Sequence, residues 1–419
     1  MRATDRTREQ GHAALLSRPV SAVRGAGRVV ATLWLGVSAA LVPTTASASP
    51  LLAPAVGAAD LAMMGTRVAD PPTPSAALFE NPAGLTRFDT TTISSSLGIG
   101  YGWARVEASE PAGYKGTNTP LMQVPDAGLS IPYRDRWRFA LGAYGSTGSK
   151  FDFDADPARG VGHFFSETIV ATFPLGVAYR IGDHLSIGAE VEPLFGQLRT
   201  RFTLSDLDFH YKINGPGVQG MAGVTLRPTE QWALGLSVRT PGMIWMRGSM
   251  PVQGVGRQDV DLNLEMPTQV FLGATWHCTR RLTLSGSVRF TNSSTLGSSI
   301  VKYELTPQAN NGFLPHAQDE WKFALAAEYA LPEQLMLRFA LAQASHIVGS
   351  RGVSPLVFDG DDTKIAVGLG RDFGRWVLDA TAGYNLPAER HIARETALVL
   401  PGTYRMEGVI FMLGVTQRL

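Results

Sequence analysis

The stretch VDLNLEMPTQVFLGATW, residues 260–276, decides the fold class. Every even position from Val260 to Trp276 is apolar except Thr268, and most odd positions are polar. A period of two is the pattern of a β-strand whose two faces meet different surroundings. The run is much longer than an ordinary strand of about 5–6 residues. Such a length is typical of a tilted strand that crosses a bilayer and projects beyond it.

Similar alternation recurs along the chain, at 282–290, 321–329 and 335–342. A soluble β-sandwich would alternate in the same way, so alternation alone leaves both architectures open. The connections separate them, because short and long ones alternate strictly. The short polar turns lie at 134–136, 182–183, 229–231, 278–280, 332–334 and 374. The longer stretches lie at 107–122, 146–165, 203–213, 240–258, 291–319, 345–360 and 386–402.

Alternating short and long connections are the pattern of an outer-membrane barrel, with short periplasmic turns and long external loops. The six short and seven long connections listed above imply 14 strands. Aromatic residues cluster at the short turns: Trp137, Trp232 and Trp376 follow them, while Trp276 and Tyr329 precede them. Aromatic girdles mark membrane interfaces. We therefore predict an all-β membrane protein, a 14-stranded antiparallel transmembrane β-barrel, in the outer membrane of a Gram-negative bacterium.

The N-terminal region divides into two parts before the first strand. Residues 1–48 combine upstream arginines, a short apolar run over 29–42 and the small residues Ala46-Ser47-Ala48, which is typical of a secretory signal peptide. Residues 49–88 are rich in Ala, Pro and Gly and do not alternate. The lumen of a 14-stranded barrel is too wide for side chains to fill. We therefore expect residues 49–88 to form a hatch, or plug, inside a barrel formed by residues 89–419.

Composition excludes several function classes. The 37 Lys and Arg residues balance 36 Asp and Glu residues, which argues against binding nucleic acid through phosphate neutralisation. A single cysteine, Cys278, excludes an intrachain disulfide framework. The His residues are scattered, and no motif for nucleophilic or metal-dependent catalysis is present. We predict no enzyme activity, no metal and no cofactor.

Several motifs, in this order, resemble the FadL/TodX family of outer-membrane transporters. The N-terminal ones are Ala58-Ala59-Asp60 and the run Asn81-Pro82-Ala83-Gly84-Leu85; in the C-terminal half, 321–329, 358–361 and 365–370 are similar. That family imports long-chain fatty acids and aromatic hydrocarbons. The resemblance implies a barrel closed by a hatch, with Asn81, Pro82 and Ala83 anchoring the hatch to the wall. It also implies a monomer that the barrel-assembly machinery inserts into outer-membrane lipid.

The resemblance further implies a hydrophobic groove in two external loops and an inward kink in the third strand. Four consecutive large apolar residues stand in a predicted external loop, Met243, Ile244, Trp245 and Met246, and the preceding long loop offers Phe202, Leu204 and Phe209. Methionine adapts to varied ligands. Nearby Lys212, Arg247 and Arg257 are candidate partners for a substrate carboxylate. Gly142 and Gly145 are the candidate kink residues, because glycine weakens a strand and permits a bend.

The sequence thus predicts outer-membrane transport of hydrophobic molecules, most of all long-chain fatty acids. Capture in the loop groove, passage to a barrel pocket and release past the hatch or through the wall would be the route. Two alternatives stay open at this point. A general diffusion porin would have a water-filled channel with a charged constriction and no hatch. A structural barrel or adhesin would have longer loops.

Overall fold

A computed structural model describes residues 52–204, 207–252, 256–305, 307, 310–393 and 400–419. The predicted signal peptide, residues 1–48, lies outside the described residues. The described chain forms one antiparallel sheet that closes on itself, because the first strand pairs with the last along its whole length. Within the described residues no helix is both long and apolar enough to span a bilayer.

The sheet contains twenty strands. They are β1 (Thr92–Ala108), β2 (Lys115–Asn118), β3 (Leu121–Tyr133), β4 (Trp137–Phe153), β5 (Phe164–Thr172), β6 (Leu175–Ile181), β7 (Leu185–Leu204), β8 (Leu207–Thr229), β9 (Trp232–Arg239), β10 (Gly242–Val252), β11 (Gly256–Met266), β12 (Gln269–His277), β13 (Leu282–Thr291), β14 (Ile300–Tyr303), β15 (Asn311–Gly312), β16 (Glu320–Ala330), β17 (Leu335–Ala344), β18 (Asp362–Asp372), β19 (Trp376–Ile392) and β20 (Gly402–Arg418).

These strands occupy 14 positions around the wall. The pairs β2–β3, β5–β6, β9–β10 and β11–β12 each share one position, since both members pair with the same neighbouring strand or continue its ladder. The short β14 and β15 add no further position, since β14 pairs with β11 and β15 pairs with β14. Twenty strands less these two and less four shared positions leave 14. The predicted 14-stranded antiparallel barrel is confirmed.

Proline interrupts three of the barrel positions. Pro174 separates β5 from β6, Pro241 separates β9 from β10, and Pro267 separates β11 from β12. Proline has no N–H to donate to the ladder, so it breaks the strand. The prediction that residues 260–276 form one continuous strand is therefore wrong. The face also switches at the break: Leu264 and its even-numbered neighbours point inward, whereas Leu272 beyond Pro267 points outward.

The wall therefore has two levels with different interiors. At the external level, the inward side chains of β10 and β11 join a large buried apolar cluster that also includes residues of β4, β7 and β8. At the periplasmic level, the inward side chains are largely polar and the outward ones are apolar. Exposed aromatic residues mark the periplasmic interface, and Trp232 and Trp276 stack there with ring centroids 5.4 Å apart. Outward apolar strand residues form the lipid-facing belt of a membrane barrel.

Two of the predicted long loops are largely strand. Residues 203–213 belong mostly to a hairpin in which β7 and β8 pair as far as Leu204 and Leu207. Residues 240–258 belong mostly to the hairpin of β10 and β11. The wall thus projects far beyond the bilayer on its external side. These stretches look like loops in the sequence because they are rich in Gly and Pro. Their residues nevertheless alternate as in a strand, with an apolar inward face.

Residues 52–88, which we call the hatch, lie inside the barrel. They form helix α1 (Ala58–Leu61), helix α2 (Pro74–Glu80) and a 3₁₀ helix (Pro82–Arg87). Thr73 caps α2 by accepting a hydrogen bond from the Ala76 N–H. Of residues 52–88, only Arg87 is exposed. The hatch contacts strands on several sides of the wall, from β1 and β3 through β8 to β18, β19 and β20.

Candidate transport site

Asn81 joins the hatch to the wall. Its side-chain amide donates to the Val68 carbonyl of the hatch and to the Val224 carbonyl of β8, both at 3.1 Å, and to Thr225 Oγ1 at 3.3 Å. Its Oδ1 accepts from the Ala83 N–H at 3.0 Å. The extended backbone of Asn81, before Pro82, holds the amide in this position. The structure thus places Asn81 against β8 and places Pro82 and Ala83 against Gly188 of β7, and their role in retaining the hatch stays a prediction.

The wall recognises the hatch mainly through its backbone carbonyls. Cationic side chains of five different strands each donate to a hatch carbonyl. These contacts are Arg138 to Phe88, Arg180 to Thr86, Arg239 to Phe79, Arg289 to Ala53, and Lys322 to both Pro54 and Met64. Hydroxyls add to them, since Ser287 donates to Gly65. Each donor satisfies a carbonyl that burial removes from water, which is costly to leave unpaired.

Arg239 is the centre of the largest of these contacts. Its guanidinium lies 3.0 Å from a carboxylate oxygen of Glu192, which is fully buried, and donates to the Phe79 carbonyl at 2.7 Å. It also lies over the rings of Phe79 and Phe271. Tyr144 donates to the same Glu192 at 3.1 Å. One buried network therefore joins the Phe79 carbonyl of the hatch to side chains of β4, β7 and β9.

The pKa values of two hatch carboxyl groups, Asp60 and Asp70, are shifted in opposite directions. Burial raises the pKa of Asp60 to about 7, and the hydrogen bond from the Val56 N–H offsets this only in part. Burial would also raise the pKa of Asp70, but Arg87 and Arg67 outweigh it and hold the pKa well below its usual range. Asp70 is thus a charged anchor, whereas Asp60 binds a proton near neutral pH.

An open cavity of about 1080 Å³ lies above the hatch. The hatch residues Pro54, Ala55, Leu61 and Met64 form one side of it, and strands β1, β3, β4, β18, β19 and β20 supply most of the rest. Most of the lining is apolar, and its larger apolar side chains are Leu52, Leu61, Met64, Met122, Val124, Phe151, Met406, Ile410 and Met412. Such a concave, mostly apolar volume is typical of a small-molecule site. Two cations, Lys150 and Lys364, also line it.

The wall beside the cavity has a gap between β3 and β4, which we call the window. Their ladder ends at the pair Asp126–Tyr144, and above it β4 pairs only with β5. The window ends higher up where Asn118 donates to the Lys150 carbonyl at 3.1 Å. The register of β4 shifts between Gly145 and Thr147. The hatch compensates one freed group there, because the Ala53 N–H donates to the Ser146 carbonyl at 3.0 Å.

The two candidate kink glycines differ in their positions. Gly145 lies at the register shift and lines the cavity. Gly142 lies within the regular β3–β4 ladder, paired with Gly128. A side chain at Gly142 would come within 2.9 Å of the Leu78 side chain in α2. The structure shows no register shift at Gly142, where the missing side chain admits the hatch, and its role in a bend stays a prediction.

The predicted groove residues lie on strands and do not face one common surface. Ile244 and Met246 of β10 are buried in the external apolar cluster, whereas Trp245 between them points outward with 46% exposure. Met243 is half-buried. The prediction of a loop over 243–246 is wrong, because β10 pairs there with both β8 and β11. The side chain of Leu204 lies outside the described residues.

Phe202 and Phe209 do meet, at the external end of the barrel. Their rings stack with centroids 4.8 Å apart, and Phe209 also contacts Tyr303 edge-on. Both phenylalanines are buried. Phe202 lines a second, smaller cavity below the external loops, together with Tyr211 of β8. The pair therefore lies on the inner side of the wall rather than in an external groove.

The three predicted carboxylate partners point away from the cavity. Lys212 is exposed, Arg247 is 84% exposed and lies 3.7 Å from Asp261, and Arg257 donates to Ser249. The prediction is wrong for a simple reason, since odd and even positions of β8, β10 and β11 face opposite sides. Within the described residues, no group of three or more His, Cys, Asp or Glu side chains is arranged to hold a metal ion.

Comparison with known proteins now identifies the family. The model of the family described as outer membrane protein transport protein (OMPP1/FadL/TodX) matches residues 39–418. The chain belongs to this family. It is therefore a protein of the Gram-negative outer membrane, in a family of transport proteins. No curated protein sequence matches it.

Solved structures agree on the fold. A FadL homologue of Pseudomonas aeruginosa superposes with a TM-score of 0.77 at 15% identity, covering 88% of this chain and 99% of that one. The toluene transporter TodX of Pseudomonas putida gives 0.68 at 16%, covering 87% and 99%. The toluene transporter TbuX of Ralstonia pickettii gives 0.66 at 18%, covering 87% and 99%.

Sequence reasoning missed the cavity-lining methionines and lysines. Met406 and Met412 share the inward face of β20, Met122 lies on β3, and Lys364 lies on β18. The odd or even position of each residue along its strand was a usable signal, because inward and outward residues alternate. That signal needs the inward face to be known for each strand.

Proposed function

We propose that this protein carries long-chain fatty acids, or similarly apolar molecules, across the outer membrane. The observation that carries the proposal is the mostly apolar cavity above a hatch that is buried on all sides. Hatch residues and residues of six strands line it, and most of its larger side chains are apolar, which suits a hydrocarbon chain. Four methionines in the lining suit ligands of varied shape.

The route that we propose enters from the external side and leaves through the window. A molecule would pass the apolar cluster around Phe202 and Phe209, rest in the cavity and exit between β3 and β4. About five residues of β4 border the window, from Gly145 to Ser149, which is roughly 17 Å of strand. Lateral exit avoids breaking the many buried hydrogen bonds of the hatch. Release past the hatch would have to break them.

A carboxylate head group would meet Lys150 or Lys364 in the cavity. Lys364 is buried and paired with Asp362, so its charge is already balanced. Lys150 is half-buried and shares the outward face of Glu167 and Arg199, so it lies at the edge of the window. Among the described residues it has no ion pair within 4 Å, which favours Lys150 as the partner of a carboxylate that leaves through the window.

The hatch argues against a general porin. A porin for polar solutes needs a continuous water-filled channel, whereas residues 52–88 lie across the interior with only Arg87 exposed. An adhesin or purely structural barrel has no need for an apolar cavity of this size. Neither alternative has an observation of its own in its favour.

Uptake of a fluorescent C16 fatty acid into proteoliposomes tests the proposal. The double variant Met406→Gln/Met412→Gln makes the cavity polar, and we expect it to slow uptake at least several-fold. Phe411→Leu is the matched control, because Phe411 lies beside Met412 on the lipid-facing side of β20. Equal uptake by wild type and the double variant, with both folded, would contradict the proposal. So would efficient passage of glucose or other small polar solutes.

A further inference from the structure

Four basic side chains form a compact array on the outer surface of the β7–β8 hairpin. Arg199 and Arg201 alternate with inward residues on β7, and they pair directly with Lys212 and His210 on β8. All four are exposed. Directly opposed residues lie about 5 Å apart and positions i and i+2 about 7 Å apart. The array therefore fits beneath one or two phosphate groups.

The array lies just above the lipid-facing belt. On β7 the outward apolar residues run from Ile187 to Phe195, which is about 26 Å of strand or roughly 20 Å along the membrane normal. Arg199 lies four residues further, roughly 10 Å above Phe195 along the normal. The headgroup layer adds about 5–8 Å on each side of the hydrocarbon core, so the Cα atoms of the array lie beyond this layer and its long side chains reach back toward it. Outward Trp245 on β10 marks the same interface, and outward Arg247 follows it.

Few of the described carboxylates balance the positive charge of the array. Like charges directly opposite each other destabilise a strand pair, and Arg199 and Lys212 are opposed in this way. Arg199 has one carboxylate partner, Glu167 at 3.0 Å, which is itself buried. Among the side chains that the structure describes, Arg201 and Lys212 have no ion-pair partner within 4 Å. A ligand with more than one negative charge would balance this site.

A second pair of basic residues, on the outer surface of β1 and β20, has carboxylates close to it. Arg105 of β1 lies directly opposite Arg405 of β20, at a similar distance above the belt. There Arg405 donates to Glu389 at 2.9 Å, and Glu107 and Glu407 lie outward on the same two strands. Glu389 of a neighbouring strand therefore balances the charge of Arg405. Among the side chains that the structure describes on the β7–β8 hairpin, no carboxylate faces outward beside the array.

We propose that the array formed by Arg199, Arg201, His210 and Lys212 binds the phosphate groups of an anionic lipid in the outer leaflet. Its outward direction and its headgroup depth assign a lipid rather than a transported molecule. Arginine and lysine bind phosphate through charge-assisted hydrogen bonds. A neighbouring Arg247 extends the basic surface on the same side of the wall. Bound lipid would hold this hairpin at a fixed height in the membrane.

Lipid binding by the full-length protein in neutral detergent tests this proposal. The probes are bisphosphorylated lipid A, the same lipid after removal of both phosphates, and inorganic phosphate. Each basic residue near a charged surface contributes roughly 1 kcal/mol, so Arg199→Gln/Arg201→Gln/Lys212→Gln should weaken binding by about a hundredfold. Arg105→Gln is the control at the same height and should bind like wild type. All three substitutions are exposed, and the unfolding midpoint checks that the variant folds.

Three results would overturn the proposal. They are equal affinity of the wild type for the two lipids, unchanged affinity of the triple variant, and an equal loss in the Arg105→Gln control. Competition by inorganic phosphate at the concentration of the lipid would also overturn it, because it would indicate a site for soluble anions. Uptake of the C16 fatty acid by the triple variant should equal that of wild type. The binding and uptake measurements therefore test the lipid site and the transport route independently.

Discussion

Replacing Arg239 by methionine should loosen the hatch more than any other single change at the wall. Methionine keeps most of the volume but removes the cation, so fully buried Glu192 loses its partner. Removing one partner of a buried ion pair costs about 3–5 kcal/mol. The Phe79 carbonyl also loses a donor at 2.7 Å, which adds about 1–3 kcal/mol. Together these terms reach roughly 4–8 kcal/mol, a large part of the total stability of an ordinary domain.

Conductance across planar bilayers measures this directly. Wild-type protein should conduct ions poorly, whereas Arg239→Met should show frequent openings and a lower unfolding midpoint. Adding Glu192→Gln should restore much of the closed state, because it removes the unpaired charge. Arg247→Met is the control, since an exposed pair at 3.7 Å is worth about 0–1 kcal/mol. If Arg239→Met conducts and melts like wild type, the network does not retain the hatch and the reasoning fails.

Three further changes address the hatch. Asn81→Asp keeps the shape but removes the donor to the Val68 and Val224 carbonyls, so conductance should rise, while exposed Asn214→Asp should have no effect. Burial raises the pKa of Asp60 from 3.8 to about 7, so its contribution to stability is full below pH 3.8 and lost as pH rises through about 7. Asp60→Asn should therefore flatten the fall of the unfolding midpoint across that window, and an unchanged slope would contradict it. Deleting residues 49–80 should give steady porin-like conductance, and a closed pore would show that this segment does not block the lumen.

Fold class was within reach of the sequence because alternation and connection length are both local signals. They predicted 14 positions although the structure has twenty strands. What they could not supply was the direction of each side chain. At Pro267 a single missing N–H breaks the strand, and the inward face changes from the even to the odd residues. Before Pro267 the apolar residues face a buried core, whereas after it they face lipid.

The site was harder to predict for the same reason. Asn81 could be singled out from its motif, and the structure places its amide on both hatch and wall. The run at Met243–Met246 suggested a loop because it shows no alternation. A strand with apolar surroundings on both faces has no alternation to show. Trp245 meets the interface while Ile244 meets the interior. Cavity-lining Met412 belongs to no motif, and only the closed barrel brings it to Leu61 of the hatch.

The position of helix α1 sets the order in which this chain can mature. Ala58 donates to Ser96 of β1 through its N–H and accepts from Thr381 of β19 through its carbonyl. It also lies close to Gly414 of β20. Four and seven residues are too few for α1 and α2 to be stable alone. The hatch therefore waits for the last strand to be made, and closure of the β1–β20 seam and plugging of the lumen become a single event.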